Sequence, residues 1–177
     1  MKLQQQIIDH LERFVTDGPA TVRAALLKGQ ERGYIVGVDQ PDGTGVSLTF
    51  QDSDRYSINL RRLEVKGPDT GKKLTLADCA TYIATRLSYL EEPLALVELD
   101  GTQDVALLRS NPPQQNGDSI TYWEAALHAS PRPHVSLTRY RWTPQQQQRS
   151  VLHQPLTFNT AGRIATDLAE SLSNPAL

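Results

Sequence analysis

The chain has 177 residues, 38% of them hydrophobic, a net charge of −2 and one cysteine. That length supports one ordinary core without metals or cross-links. A lone cysteine excludes an intramolecular disulfide framework, and no Cys/His spacing resembles a zinc site. No stretch approaches the roughly 20 consecutive apolar residues that cross a bilayer. The opening MKLQQQIIDHLERF breaks its apolar residues with polar ones, unlike the apolar run of a signal peptide. The expectation is a soluble, cytoplasmic, single-domain protein over 1–177 with no cofactor, no metal and no membrane contact.

Leu3, Ile7, Leu11 and Phe14 recur at helical spacing, which predicts an amphipathic helix over 2–16, ended by Asp17-Gly18-Pro19. Residues 20–28 read as a short helix on their Ala and Leu content, although their place before the Gly29–Gly33 turn also suits a strand. From Tyr34 the period changes to two. Tyr34–Asp39, Gly45–Gln51 and Arg55–Val65 are rich in β-branched and aromatic residues and are separated by turn residues, which predicts a three-stranded antiparallel meander. In its third strand Tyr56, Ile58 and Leu60 share a face, and the change of phase to Leu63 and Val65 implies a bulge or bend across Arg61-Arg62.

Leu76, Ala80, Ile83, Leu87 and Leu90 form one apolar stripe, predicting a helix over 74–90 with Thr75 as its cap, supported by Asp78, and Pro93 as its stop. Cys79 falls on that stripe and reads as a small core residue, because a reactive thiolate needs an accessible, electropositive setting. Leu94–Asp100 and Asp104–Ser110 predict a hairpin, and the polar Asn111–Gly117 reads as a flexible loop.

Ser119–His128 and His134–Trp142 predict the next hairpin. Pairing His128 with His134 sets Glu124 against Thr138 and Tyr122 against Tyr140 on one face, with Trp123, Ala125, Leu127, Val135 and Leu137 on the other and Arg139 opposite Trp123; a slip of one residue inverts every assignment. Arg149–Phe158 reads as a last strand interrupted by Pro155, and 160–172 as a helix burying Ala161, Ile164, Ala165, Leu168 and Leu172. The fold class is therefore α+β: a mainly antiparallel sheet of about seven or eight strands, an N-terminal helix and two amphipathic covering helices.

Two short strings recur in order. Val46-Ser47-Leu48-Thr49 returns as Val135-Ser136-Leu137-Thr138, and Ile83-Ala84-Thr85 returns as Ile164-Ala165-Thr166. A strands-then-helix duplication over 34–90 and 119–172 is one explanation, and coincidence between β-rich segments is the other.

Charge is uneven along the chain. Residues 1–124 carry 18 acids and 13 bases, net −5, whereas 125–166 carry no acid and five arginines, net +5. Such asymmetry marks either an anionic or protein partner surface or a solvated face compensated in space by the acidic half. Arg132, Arg139, Arg141 and Arg149 are the candidate partner-binding residues.

No nucleotide-binding or nucleophile-elbow spacing is present, so no catalytic residue is assigned. Glu124, His128 and His134 meet across the predicted hairpin as a weak candidate metal triad. Arg139-Tyr140-Arg141-Trp142 interleaves basic and aromatic residues, but a strand sends the arginines to one face and the rings to the other, which disfavours nucleic acid as the partner. The order helix, three strands, helix, strands, helix is similar to that of the small dimeric chaperones of secretion systems; no motif carries the likeness and this chain has more late strands. The functional expectation is a non-catalytic binding or assembly protein, chaperone-like or adaptor-like, with a protein partner or a second copy of itself. A small soluble enzyme or small-molecule binder without a recognisable motif is the alternative.

Overall fold

The computed structural model describes residues 2–19, 23–26, 32–69 and 74–173. Three helices occur among them, α1 (Leu3–Asp17), α2 (Leu76–Arg86) and α3 (Phe158–Ser173). The strands are β1 (Arg23–Leu26), β2 (Arg32–Asp39), β3 (Gly45–Ser53), β4 (Ser57–Lys66), β5 (Leu94–Asp100), β6 (Val105–Ser110), β7 (Gln114–Asn116), β8 (Ser119–His128), β9 (His134–Trp142), β10 (Arg149–Leu152) and β11 (Gln154–Thr157). Eight run in the order β1-β2-β3-β4-β9-β8-β6-β5, with β7 on β8, β10 on β9 and β11 on β4. Every pairing is antiparallel. The α+β class and the antiparallel sheet are as expected, with three short strands added to the main path.

The three helices form one layer. α3 lies in the middle against both α1 and α2 and over β4, while α1 covers β2 and α2 covers β5, β6 and β8. This central place explains why α3 buries Gly162, Ala169 and Ser171 in addition to its expected stripe of Ala161, Ile164, Ala165, Leu168 and Leu172. Gly162 is a contact requirement: a Cβ there would stand 3.1 Å from Cγ and 3.2 Å from the carbonyl oxygen of Gln4 on α1. Ile7, Leu11, Leu48, Leu63, Ile83, Leu137, Ile164 and Leu168 are fully buried where the helix layer meets the sheet. Each contributes about 1.5–3 kcal/mol from burial.

The β8–β9 hairpin has the predicted register, from His128 opposite His134 to Ile120 opposite Trp142. The predicted bulge is present too: Thr49 faces Arg62 and Phe50 faces Leu60, which leaves Arg61 as the extra residue of β4. The two recurrent strings flank β4 at the same level, since Val46, Val65 and Val135 form one row and Leu48, Leu63 and Leu137 another. Two strands facing one neighbour at one height need the same in-out alternation, so the geometry accounts for the likeness without requiring a duplication.

Four local expectations need correction. Residues 23–26 are a strand paired with β2, not a helix; backbone pairing with Gly33 and its neighbours overrides the weak helical preference of Ala and Leu. The rest of the 20–28 stretch lies outside the described residues. Asn111–Gly117 is not simply a loop, because Gln114–Asn116 folds back on β8 through a turn whose Gly117 has φ +59. Thr75 occupies the N-cap position of α2 but its side chain makes no capping hydrogen bond. The strand read over 149–158 is split: β10 pairs with β9 and β11 with β4, and Phe158 already belongs to α3.

That split creates a fork. β4 pairs with β9 only over Leu63–Lys66; beyond the Arg61 bulge the two strands diverge, Ser57–Leu60 taking β11 and Arg139–Trp142 taking β10. β10 and β11 run in opposite directions, so the chain reverses at His153, at the apex of the fork.

Candidate functional site

The arginine-rich segment was the sequence's main pointer, and the structure disperses it. Arg139 is not at the surface. It is 3% exposed, as its place opposite Trp123 on the core face requires, and its guanidinium lies 5.3 Å from the Trp123 ring. Its Nη1 and Nη2 donate to the two carboxylate oxygens of buried Glu92 at 2.9 Å each, and Nη2 also donates to Gln114 Oε1 at 3.0 Å. The short strand β7 therefore completes the shell of a buried ion pair.

Arg132 ties loops together. Its Nε donates to the Gly67 carbonyl at 2.9 Å and its Nη2 to the Gly43 carbonyl. Gly43 has φ +88, a backbone conformation that favours glycine, and a Cβ there would stand 2.7 Å from Arg132 Nη2 and displace that guanidinium. Arg163, the fifth arginine of the segment, lies 3.8 Å over the Tyr89 ring, whose hydroxyl donates to Asp167 at 2.8 Å. Of the five, only Arg141, exposed on β9, makes no side-chain hydrogen bond or ion pair among the described residues.

Arg149 meets a second buried carboxylate, on the sheet face opposite the helices. Glu124, 5% exposed, accepts at one oxygen from Arg109 Nε and from Arg149 Nη1, both at 2.7 Å. Arg149 also lies 4.1 Å over the Tyr140 ring, which neighbours Tyr122 at 6.0 Å between centroids. Burial works against the charge on Arg149, but the hydrogen bond and ion pair with Glu124 outweigh it and raise the pKa. The acids that compensate the arginine segment are thus Glu92 and Glu124, from the acidic part of the chain, and Asp167, 3.8 Å from Arg163.

The same contacts redefine the other candidates. Glu124 is occupied by two guanidiniums and does not converge with the histidines, and among the described residues no group of three His, Cys, Asp or Glu side chains is placed to hold a metal. His128 and His134 stack with centroids 4.7 Å apart and planes 7° from parallel. Burial first and the neighbouring His134 second push the His128 pKa below its ordinary value. In the 139–142 segment, Arg139 enters the core while Tyr140 lies on the opposite face, as strand alternation requires. Cys79 is buried, and burial pushes its thiol pKa up to about 11. No helix among the described residues is long and apolar enough to cross a membrane.

Two features escaped the sequence. The first is the edge of the sheet at β5. Six large hydrophobic residues are exposed among the described residues, and three of them, Leu96, Val97 and Leu99, fall within four positions of this strand at 44%, 51% and 49% exposure. Leu96 faces Leu108 and Leu99 faces Ala106 on β6, both of them core residues, so Leu96 and Leu99 lie on the helix side of the sheet and yet remain about half exposed. Glu98, opposite Leu107, and Asp100, opposite Val105, project from the other face. The shift between Leu96 and Glu98 makes Val97 a bulge residue.

The second is the fork. A cleft of about 860 Å³ opens along its β10 arm, lined by Arg61, Tyr140, Arg149, Val151 and His153 with Gln146 and Gln148. A smaller cleft of about 390 Å³ lies nearby, lined by Pro113, Ile120, Tyr122 and Trp142.

Compared with known proteins, the chain matches no family model, no curated protein and no solved structure.

Proposed function

We propose that the chain is a non-catalytic assembly protein whose β5 edge pairs with β5 of a second copy. The observation that carries this reading is the row Leu96, Val97 and Leu99, exposed on a strand that ends the path of the sheet. Natural sheets blunt such edges with charges, proline or a covering element, because unpaired N–H and C=O groups beside apolar side chains recruit another strand. Here Val97 is a bulge and the charges of Glu98 and Asp100 lie on the face away from Leu96 and Leu99, so these two side chains stay exposed with no basic residue on the strand beside them.

A second copy suits the edge better than an unrelated strand because the two faces of β5 are segregated. Antiparallel pairing about a two-fold axis brings the Leu96–Leu99 row of one copy against that of the other on the helix side. Glu98 and Asp100 then lie on the opposite face, where water and salt screen them. Continuing the sheet across the axis satisfies backbone groups and removes apolar area together. Within the wider class of binding and assembly proteins, this is the arrangement of a dimeric adaptor or chaperone.

Sedimentation velocity over a concentration series tests the proposal. The wild-type chain is expected to sediment as a dimer at tens of micromolar, and the Leu96→Lys/Leu99→Lys variant as a folded monomer with an unchanged circular dichroism spectrum. A wild-type monomer across the series would remove the proposal.

A further inference from the structure

The fork between β10 and β11 has the composition of a small-anion site, independent of the β5 edge. Its cleft is polar, and none of its lining residues is acidic. Arg61 is placed there by its own bulge, which takes it out of the regular alternation of β4, and it has no hydrogen bond or ion pair among the described residues. Arg149 lines the same cleft. Its partner Glu124 is shared with Arg109, so one carboxylate serves two guanidiniums and the local balance stays positive.

Unsatisfied polar atoms point to the same region. Among the described residues four enclosed side-chain atoms have no hydrogen-bond partner, and three of them, Asn59 Oδ1, Thr143 Oγ1 and His153 Nε2, belong to the segments that border the fork. Asn59 pairs with Pro155 on β11, Thr143 follows the last residue of β9, and His153 is the apex where the chain reverses. A buried polar atom without a partner costs about 1–3 kcal/mol, and of these three residues His153 lines the cleft itself. Backbone groups of β10 add to the donor set, because Arg149, Ser150 and Val151 line the cleft and this strand pairs with β9 alone.

We propose that the fork binds the oxyanion of a small molecule, a phosphate or a carboxylate, between the guanidiniums of Arg61 and Arg149, with the His153 ring and the Gln146 and Gln148 amides around it. Guanidinium forks match the geometry of both oxyanions. The aromatic wall of Tyr140 and the apolar side of Val151 leave room for an attached organic group.

Nuclear magnetic resonance of the full chain, at constant ionic strength, tests this with inorganic phosphate and malonate as separate probes and chloride as the reference. Saturable shifts of the Arg61 Nε–H and His153 ring signals are expected with at least one probe, and the stronger probe assigns the ligand as phosphate or carboxylate. Arg61→Gln is expected to weaken that binding at least tenfold, while Arg55→Gln, which removes an arginine at the edge of the preceding turn, leaves it unchanged. His153→Gln, which keeps a polar side chain at the apex, is expected to weaken it by a smaller factor. Shifts that never saturate, that spread equally over arginines elsewhere, or that survive Arg61→Gln would overturn the proposal. Since Arg61 and His153 lie apart from β5, failure here leaves the sedimentation result untouched.

Discussion

Arg139 and Glu92 stand 47 positions apart in the chain and meet inside it through two hydrogen bonds of 2.9 Å each. Neither residue is more than 9% exposed at its side chain. Removing one partner therefore strands an unpaired buried charge, so Arg139→Met or Glu92→Met alone is expected to cost about 3–5 kcal/mol. Replacing both with methionine is expected to recover most of that loss, since the pair's mutual attraction mainly offsets its own desolvation. Urea denaturation of the two single variants and the double variant measures this directly, and additive losses would contradict it.

Arg132 is expected to matter for stability instead of for assembly. Arg132→Ala breaks two charge-assisted bonds, to the Gly43 and Gly67 carbonyls, and is expected to cost about 1–3 kcal/mol. Its sedimentation should match the wild type at a concentration where both are folded. A weakened dimer with unchanged stability would instead return Arg132 to a partner surface.

Acid should loosen the β8–β9 hairpin through its histidine pair. The pKa of His128 lies below its ordinary 6.5. Above that value neither the folded nor the unfolded chain holds the proton, and the contribution of the neutral ring is fully present. As pH falls below it, the unfolded chain binds the proton first and stability is lost. His134 stacks on one side of the pair, with Lys66 opposite it on β4. His128→Gln is expected to flatten the fall in stability between pH 7 and 5; an equally steep fall in the variant would refute the assignment.

Cys79 should be inert in the folded protein. With its pKa pushed up to about 11, the thiol stays protonated at neutral pH, and burial denies a reagent access. Reaction with a disulfide reagent at pH 8 is expected only as fast as the chain unfolds. Raising the pH from about 9 to about 11 should lower stability, because the unfolded thiol ionises first. Prompt labelling of the native chain would contradict the core assignment.

Period and turn chemistry made much of this fold legible. The β8–β9 hairpin was legible as a pair of strands, with its register open to a slip of one residue until the fold set His128 opposite His134, and the Arg61 bulge was legible as a single break in phase. Residues 23–26 depart from their helical propensity because their backbone partner decides their state. Counting charges found the arginine segment but not its partners: Glu92 and Glu124 come from other strands and loops, and only the folded sheet brings them to Arg139 and Arg149. The apolar run of β5 reads like any buried strand, since edge position belongs to topology and leaves no local mark.

Amide hydrogen exchange along β5, measured as a function of protein concentration, tests the proposed assembly most directly. If two copies pair through this edge, the outward amides between Leu96 and Asp100 gain protection as concentration rises through the dimer range, and the Leu96→Lys/Leu99→Lys variant abolishes that gain while the rest of the sheet stays protected. Exchange at an open-edge rate at every concentration would contradict the account.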